Sequence, residues 1–88
     1  MQLDPVAMNP VLNRLKRARG QLDVVISSIE NGQECQVAVH NLATVSRALD
    51  RAGFAIISKT LQHHLQDPEH PATEDDLKEL EKLFLSLA

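Results

Sequence analysis

Residues 35–64, CQVAVHNLATVSRALDRAGFAIISKTLQHH, decide the fold. Ala38, Leu42, Val45, Leu49, Ala52 and Ile56 alternate steps of four and three. That is the heptad stripe of a helix packed lengthwise against partners. No proline interrupts the stretch, and Gly53 is its one weak helix former. At about 1.5 Å of rise per residue, Cys35 and His64 stand roughly 44 Å apart on such a helix. A compact chain of this length has a radius of gyration of only about 12 Å. The helix therefore overruns a single globule, and its two ends cannot meet within one chain. An antiparallel homodimer sets the start of one helix beside the end of its partner's. Any site shared by Cys35 and His64 must then lie between subunits.

The flanking segments read as two further helices. Residues 1–9 carry no clear pattern and are expected to form a mobile arm. Asn9-Pro10 reads as an N-cap followed by proline at the first helical position. Val11, Leu12, Leu15, Ala18, Leu22, Val25, Ile26 and Ile29 then recur at three- and four-residue spacing, predicting a helix over 10–31. Asn31-Gly32 ends it, glycine supplying the left-handed conformation that helix ends favour. The central helix follows after a turn, over 34–66, so the first two form an antiparallel hairpin. Pro68 and Pro71 enforce a loop. Thr73 followed by Glu74, Asp75 and Asp76 has the character of a capped helix start. Leu77, Leu80, Leu83, Phe84 and Leu87 complete a third helix over 73–87. The chain is expected to be a single all-α domain spanning 1–88.

Composition limits the function. Eighty-eight residues lie near the size at which one core is marginal and oligomerisation helps. A lone cysteine excludes an intrachain disulfide framework and suits a reducing cytoplasm. Met1 to Pro10 has neither the basic flank nor the apolar core of a signal peptide. No apolar run approaches the roughly 20 residues that span a bilayer, so no membrane partner is expected. The net charge of −3 conceals an asymmetry: residues 1–66 hold seven Lys/Arg against five Asp/Glu, residues 67–88 two against seven. Arg14, Lys16, Arg17 and Arg19 crowd into one helix, and a polyanion responds to such a local patch rather than to the average.

Three features occur together: Leu12-Asn13-Arg14-Leu15-Lys16-Arg17-Ala18-Arg19-Gly20-Gln21, a cysteine opening the second helix, and Arg51 ahead of a Leu-x-x-His-His ending. In these the chain resembles the CsoR/RcnR/FrmR family of small bacterial transcriptional repressors, most closely over residues 11–66. The resemblance implies three-helix protomers forming antiparallel four-helix-bundle dimers, paired into a tetramer. Such repressors hold operator DNA without a helix-turn-helix and release it when an inducer fills an intersubunit site. On this resemblance Arg14 and Arg51 fall on DNA-contacting positions, with Lys16 and Arg19 nearby. Gln21 matches a polar residue that helps orient the first helix. Glu79 aligns with a glutamate in the network between inducer site and DNA surface.

The same resemblance assigns inducer ligands. The sensing cysteine falls on Cys35 and the last ligand on His64. The position between them, commonly histidine, is Thr60, whose hydroxyl is a poor ligand for a soft ion. His63 is a substitute donor, turned about 100° round the helix from His64. Thiolate and imidazole both suit Cu(I), which tolerates low coordination numbers, so Cu(I) is the leading inducer. Another transition metal, or none, remains open. The aldehyde, nickel/cobalt and persulfide patterns fit less well: Gln2 follows Met1, Leu3 and Thr60 replace histidines, and a second cysteine is missing.

The expected function is thus an inducer-responsive repressor sensing Cu(I) through Cys35 and His64. One alternative is a repressor that senses reactive sulfur species or an electrophile through Cys35 alone. The other is a metal-binding helical interaction module without DNA binding. Each signal also has a plain reading: a small buried cysteine, histidines suited to a helix end, and a solvated charged helix face. No Ser/His/Asp set, phosphate loop or paired buried carboxylates can be read, so no enzyme is expected.

Overall fold

The computed structural model describes residues 2–88 and is all-α, with three helices and no strand among those residues: α1 Asn9–Glu30, α2 Cys35–Gln66 and α3 Glu74–Leu87. Each boundary has a local cause. The Leu12 amide donates to the Met8 carbonyl at 2.9 Å, so Met8 rather than Asn9 is the N-cap of α1 and Pro10 stands one place further in. The preceding turn forms because Asp4 accepts from the Val6 amide (3.1 Å) through its side chain and from the Met8 amide (2.9 Å) through its carbonyl. Part of the expected arm is therefore packed: Met8 is 5% exposed and clusters with Val11 and Ala52. Met1, the first residue of that arm, lies outside the described residues.

At the other end of α1, Gly32 takes φ +65°. Its amide donates to the Ile29 carbonyl (3.2 Å) and that of Gln33 to the Ser28 carbonyl (2.9 Å). This paired closure needs a left-handed residue, which glycine adopts without a side-chain clash. The hairpin turn is thereby set. Helix α2 runs 32 residues without a break and stops at Asp67, ahead of Pro68. The Thr73 hydroxyl accepts from the Asp76 amide (3.1 Å), and the Asp76 carboxylate accepts from the Thr73 amide (3.0 Å). This reciprocal cap starts α3, with Glu74, Asp75 and Asp76 in its first turn.

Helices α1 and α3 both pack on α2 and, among the described residues, not on each other. Buried positions recur every seven residues: Val11, Ala18 and Val25 on α1, Val45 and Ala52 on α2. These small side chains let α1 and α2 lie close along their length. The result is one layer of helices, 55 × 25 × 13 Å. Its radius of gyration is 16.8 Å, against about 12 Å for a compact chain of this length.

So thin a layer has little interior. Leu12, Leu22, Ile26 and Ile29 of α1 stay exposed, as do Leu42 and Leu49 of α2. The periodic apolar faces are thus split, one half buried within the hairpin and the other open. The surface totals 6717 Å², whereas a compact monomer of 9.8 kDa exposes about 5,200 Å². Roughly 1,500 Å² of excess surface, rich in leucine and isoleucine, is what an apolar interface would cover.

Candidate nucleic-acid interface and inducer site

The antiparallel pairing of α1 and α2 brings two sets of cations together. Arg14, Arg17 and Gln21 project from α1 at steps of three and four, which puts them on one face. Thr44, Arg47 and Arg51 do the same from α2. Between them lies an open groove of about 380 Å³, its floor made by Ala18 and Ala48. Alanine on both helices is what leaves room for the groove. Among the described residues, the only ion pairs join His63 to Asp4, His70 to Asp67 and Lys78 to Glu74. None of the four guanidiniums takes part in an ion pair. Their field is directed at solvent, and the planar forks suit phosphate oxygens.

Two expected cations, Arg14 and Arg51, line this groove; Lys16 and Arg19 are exposed but stand outside it. Arg17, counted in the basic patch but not among the expected DNA contacts, and Arg47, not singled out from the sequence, complete the groove. The signal for them was present: Arg47 and Arg51 repeat on α2 the three-and-four spacing that Arg14 and Arg17 begin on α1. What was missing was the knowledge that these two faces oppose each other.

The expected inducer residues are spread along α2. Cys35 is an exposed free thiol at its first position, about 44 Å by helical rise from His64. At the other end Thr60 is 5% exposed, and its hydroxyl donates to the Ile56 carbonyl at 2.6 Å. Thr60 and Glu79 line a common cavity of about 70 Å³ between α2 and α3, closed by Leu3, Ile56, Ile57, Leu80 and Leu83. The structure thus brings Thr60 and Glu79 together and keeps Cys35 apart. The rings of His63 and His64 meet edge-on, 5.9 Å between centroids at 81°. His63 Nδ1 lies 3.8 Å from Asp4 Oδ2. His64 Nε2 is shut off from solvent with no hydrogen-bond partner, a state that native proteins seldom leave unexplained. Among the described residues, no three His, Cys, Asp or Glu side chains of one chain converge as a metal cage would require.

A family model described as metal-sensitive transcriptional repressor matches residues 7–86. The chain belongs to this family. No solved structure matches it. The repressor family is not enzymatic, and DNA is its partner. No helix among the described residues is long and apolar enough to cross a membrane.

Cys35 and His64 of one protomer stand at opposite ends of α2 and cannot hold one ion together. The His64 imidazole is a donor type that a transition metal takes, but its Nε2 is enclosed within its own protomer. The soft donor, Cys35, lies at the far end of the same helix.

Proposed function

We propose that this repressor grips operator phosphates with the Arg14–Arg17–Arg47–Arg51 groove and senses Cu(I) with Cys35 of one protomer and His64 of an antiparallel partner. The observation that supports the DNA half of this reading is the groove itself, four guanidiniums none of which forms an ion pair among the described residues. Repeated in a dimer or tetramer, such grooves form a phosphate-binding face, and affinity falls steeply with salt as counterions return. The assembly is supported by the open apolar faces of α1 and α2. Packing these faces together in an antiparallel four-helix bundle removes them from water and joins the two halves of the inducer site. Doubling that dimer gives the tetramer.

Cys35 of one chain and His64 of the other would hold Cu(I), which would supply there the affinity of a soft ion for thiolate and imidazole. Both residues lie on α2, the helix that also carries Arg47 and Arg51. A change in how the ends of two α2 helices pack would therefore move the groove. Metal and operator favour different packings, so each weakens the other by the same factor. Lys16 and Arg19, outside the groove, add general attraction to the duplex. Glu79, on the cavity beside Thr60, is where α3 feels a change at that end of α2. His63, next to His64, is the second imidazole at this junction. The regulator works in the cytoplasm, where its thiol stays reduced.

The test is fluorescence anisotropy on a fragment from the protein's own promoter, at several salt concentrations, with and without anaerobic Cu(I). The expected result is salt-sensitive binding that Cu(I) releases, with the release lost in Cys35→Ala and His64→Ala. Salt-sensitive binding that ignores Cu(I) but yields to persulfide or aldehyde would transfer sensing to Cys35 alone. Absence of operator binding would refute the repressor mechanism and leave a metal-binding interaction module.

A further inference from the structure

We infer that the arginine groove is also a small-molecule site, one that takes a compact polyphosphate anion in competition with operator DNA. The competition rests on the reading of this groove as the operator contact; the anion site does not. Counting outward from the turn at Gly32, Arg14 falls level with Arg51, Arg17 with Arg47 and Gln21 with Thr44. The guanidiniums are thus gathered within three residue steps on α1 and four on α2, about 6 Å of helix axis. On either side the cations stop. Residues 1–13 and 20–46 contain no Lys or Arg, and the first cation after Arg51 is Lys59. Toward the hairpin turn, Asp23 lines the neighbouring hollow with Ser27, Gln33 and Asn41. An anion is attracted to the short basic stretch and opposed by a carboxylate beyond it.

Charge density favours a compact ligand. A duplex strand brings one phosphate per about 3.4 Å of its axis, so about 6 Å of groove meets roughly two of them. Four guanidiniums then face about two charges. A phosphate chain, its groups joined directly with no sugar between them, packs more charge into the same length. The space suits it as well: Ala18 and Ala48 leave a groove of about 380 Å³, within the range of about 300–1,000 Å³ usual for small-ligand sites. Guanidinium forks from both walls can reach its oxygens, and the Gln21 amide adds a neutral donor at the hairpin end. No ion pair among the described residues has to be broken first. Inorganic tripolyphosphate and the triphosphate of a nucleotide share this chemistry. Either one occupies the groove without touching Cys35 or His64, so it releases DNA independently of metal.

The experiment uses the reduced full-length protein in metal-free buffer, with chloride holding ionic strength constant. Calorimetry measures binding of tripolyphosphate, ATP and orthophosphate, and anisotropy measures their displacement of an operator fragment. Arg17→Ala, Arg47→Ala, Ala48→Leu and Lys59→Ala are compared after circular dichroism has shown each to be helical. Tripolyphosphate is expected to bind, and to displace DNA, at a concentration about tenfold below that of orthophosphate, since it engages several guanidiniums at once. Arg17→Ala, Arg47→Ala and the floor-filling Ala48→Leu should each weaken it about tenfold, a loss of about 1.4 kcal/mol, while Lys59→Ala leaves it unchanged. Equal binding of ATP and tripolyphosphate assigns the triphosphate group alone; tighter binding of ATP assigns a nucleotide. Tripolyphosphate no better than orthophosphate, or indifferent to both arginine variants, would overturn the inference and leave operator binding standing. Groove-dependent tripolyphosphate binding without any operator binding would support the anion site and refute the repressor reading instead.

Discussion

Leu87 of α3 occupies the space that a β-carbon on Gly53 of α2 would need: such an atom would lie 2.9 Å from Leu87 Cδ1 and 3.2 Å from Cδ2. Beside it the rings of Phe54 and Phe84 meet at 5.2 Å and 55°. The last turn of α3 is therefore seated on a glycine notch. Gly53→Ala sets two effects against each other. Alanine is favoured over glycine within a helix by roughly 0.5–1 kcal/mol, while the displaced Leu87 loses contact. Global stability is expected to move by less than about 1 kcal/mol. Hydrogen exchange of α3 should rise all the same, because only the docking is weakened. Gly53→Leu, which fills the notch, should undock α3 outright.

The groove makes a prediction in salt dependence. Arg14→Ala, Arg17→Ala, Arg47→Ala and Arg51→Ala should each reduce the slope of log affinity against log salt by about one. Lys16→Ala and Arg19→Ala, outside the groove, should reduce it by less. Equal losses at all six positions would point to a diffuse field instead of a groove.

The antiparallel register can be trapped chemically. His64→Cys creates a second thiol roughly 44 Å from Cys35 on the same helix, beyond the reach of an intrachain disulfide. Mild oxidation should give a covalent dimer on non-reducing gels, and none in the Cys35→Ala background. A dimer that persists in that background would mean a different register, with the introduced cysteines facing each other.

The start of α3 should be sensitive to acid. The Thr73 amide donates to Asp76 and holds its carboxyl below the usual carboxylate range. The ionised form is thus favoured in the folded state. Its contribution is complete above the unfolded value of about 4 and is lost as pH falls through the lowered value. Amide protection in the first turn of α3 should fall on acidification below about pH 4, and Asp76→Asn should flatten that dependence. Thr73→Ala removes the other half of the cap and should loosen α3 by about 1 kcal/mol at any pH.

The three helices were legible in the sequence because their causes are local. A seven-residue apolar period, a glycine with positive φ at position 32, two prolines and a Thr73–Asp76 cap each act within a few residues of chain. The hydrophobic start of α1 was not, since Met8 joins the helix through a turn made by Asp4 and is held by Ala52, far along the chain. Arg14 and Arg51 could be picked out by resemblance and Arg17 as part of a basic patch, but Arg47 could not be joined to them. Only the packing of α1 on α2, with Ala18 and Ala48 as the floor, makes one groove of four cations separated by about thirty residues of sequence. The sequence by itself determined that the chain is helical and that Cys35 and His64 lie too far apart to meet in one copy. Tertiary structure decided which half of each apolar face is buried and that the Thr60 hydroxyl is already bonded to its own helix. Those outcomes depend on which surfaces face each other, and helical periodicity leaves that choice open.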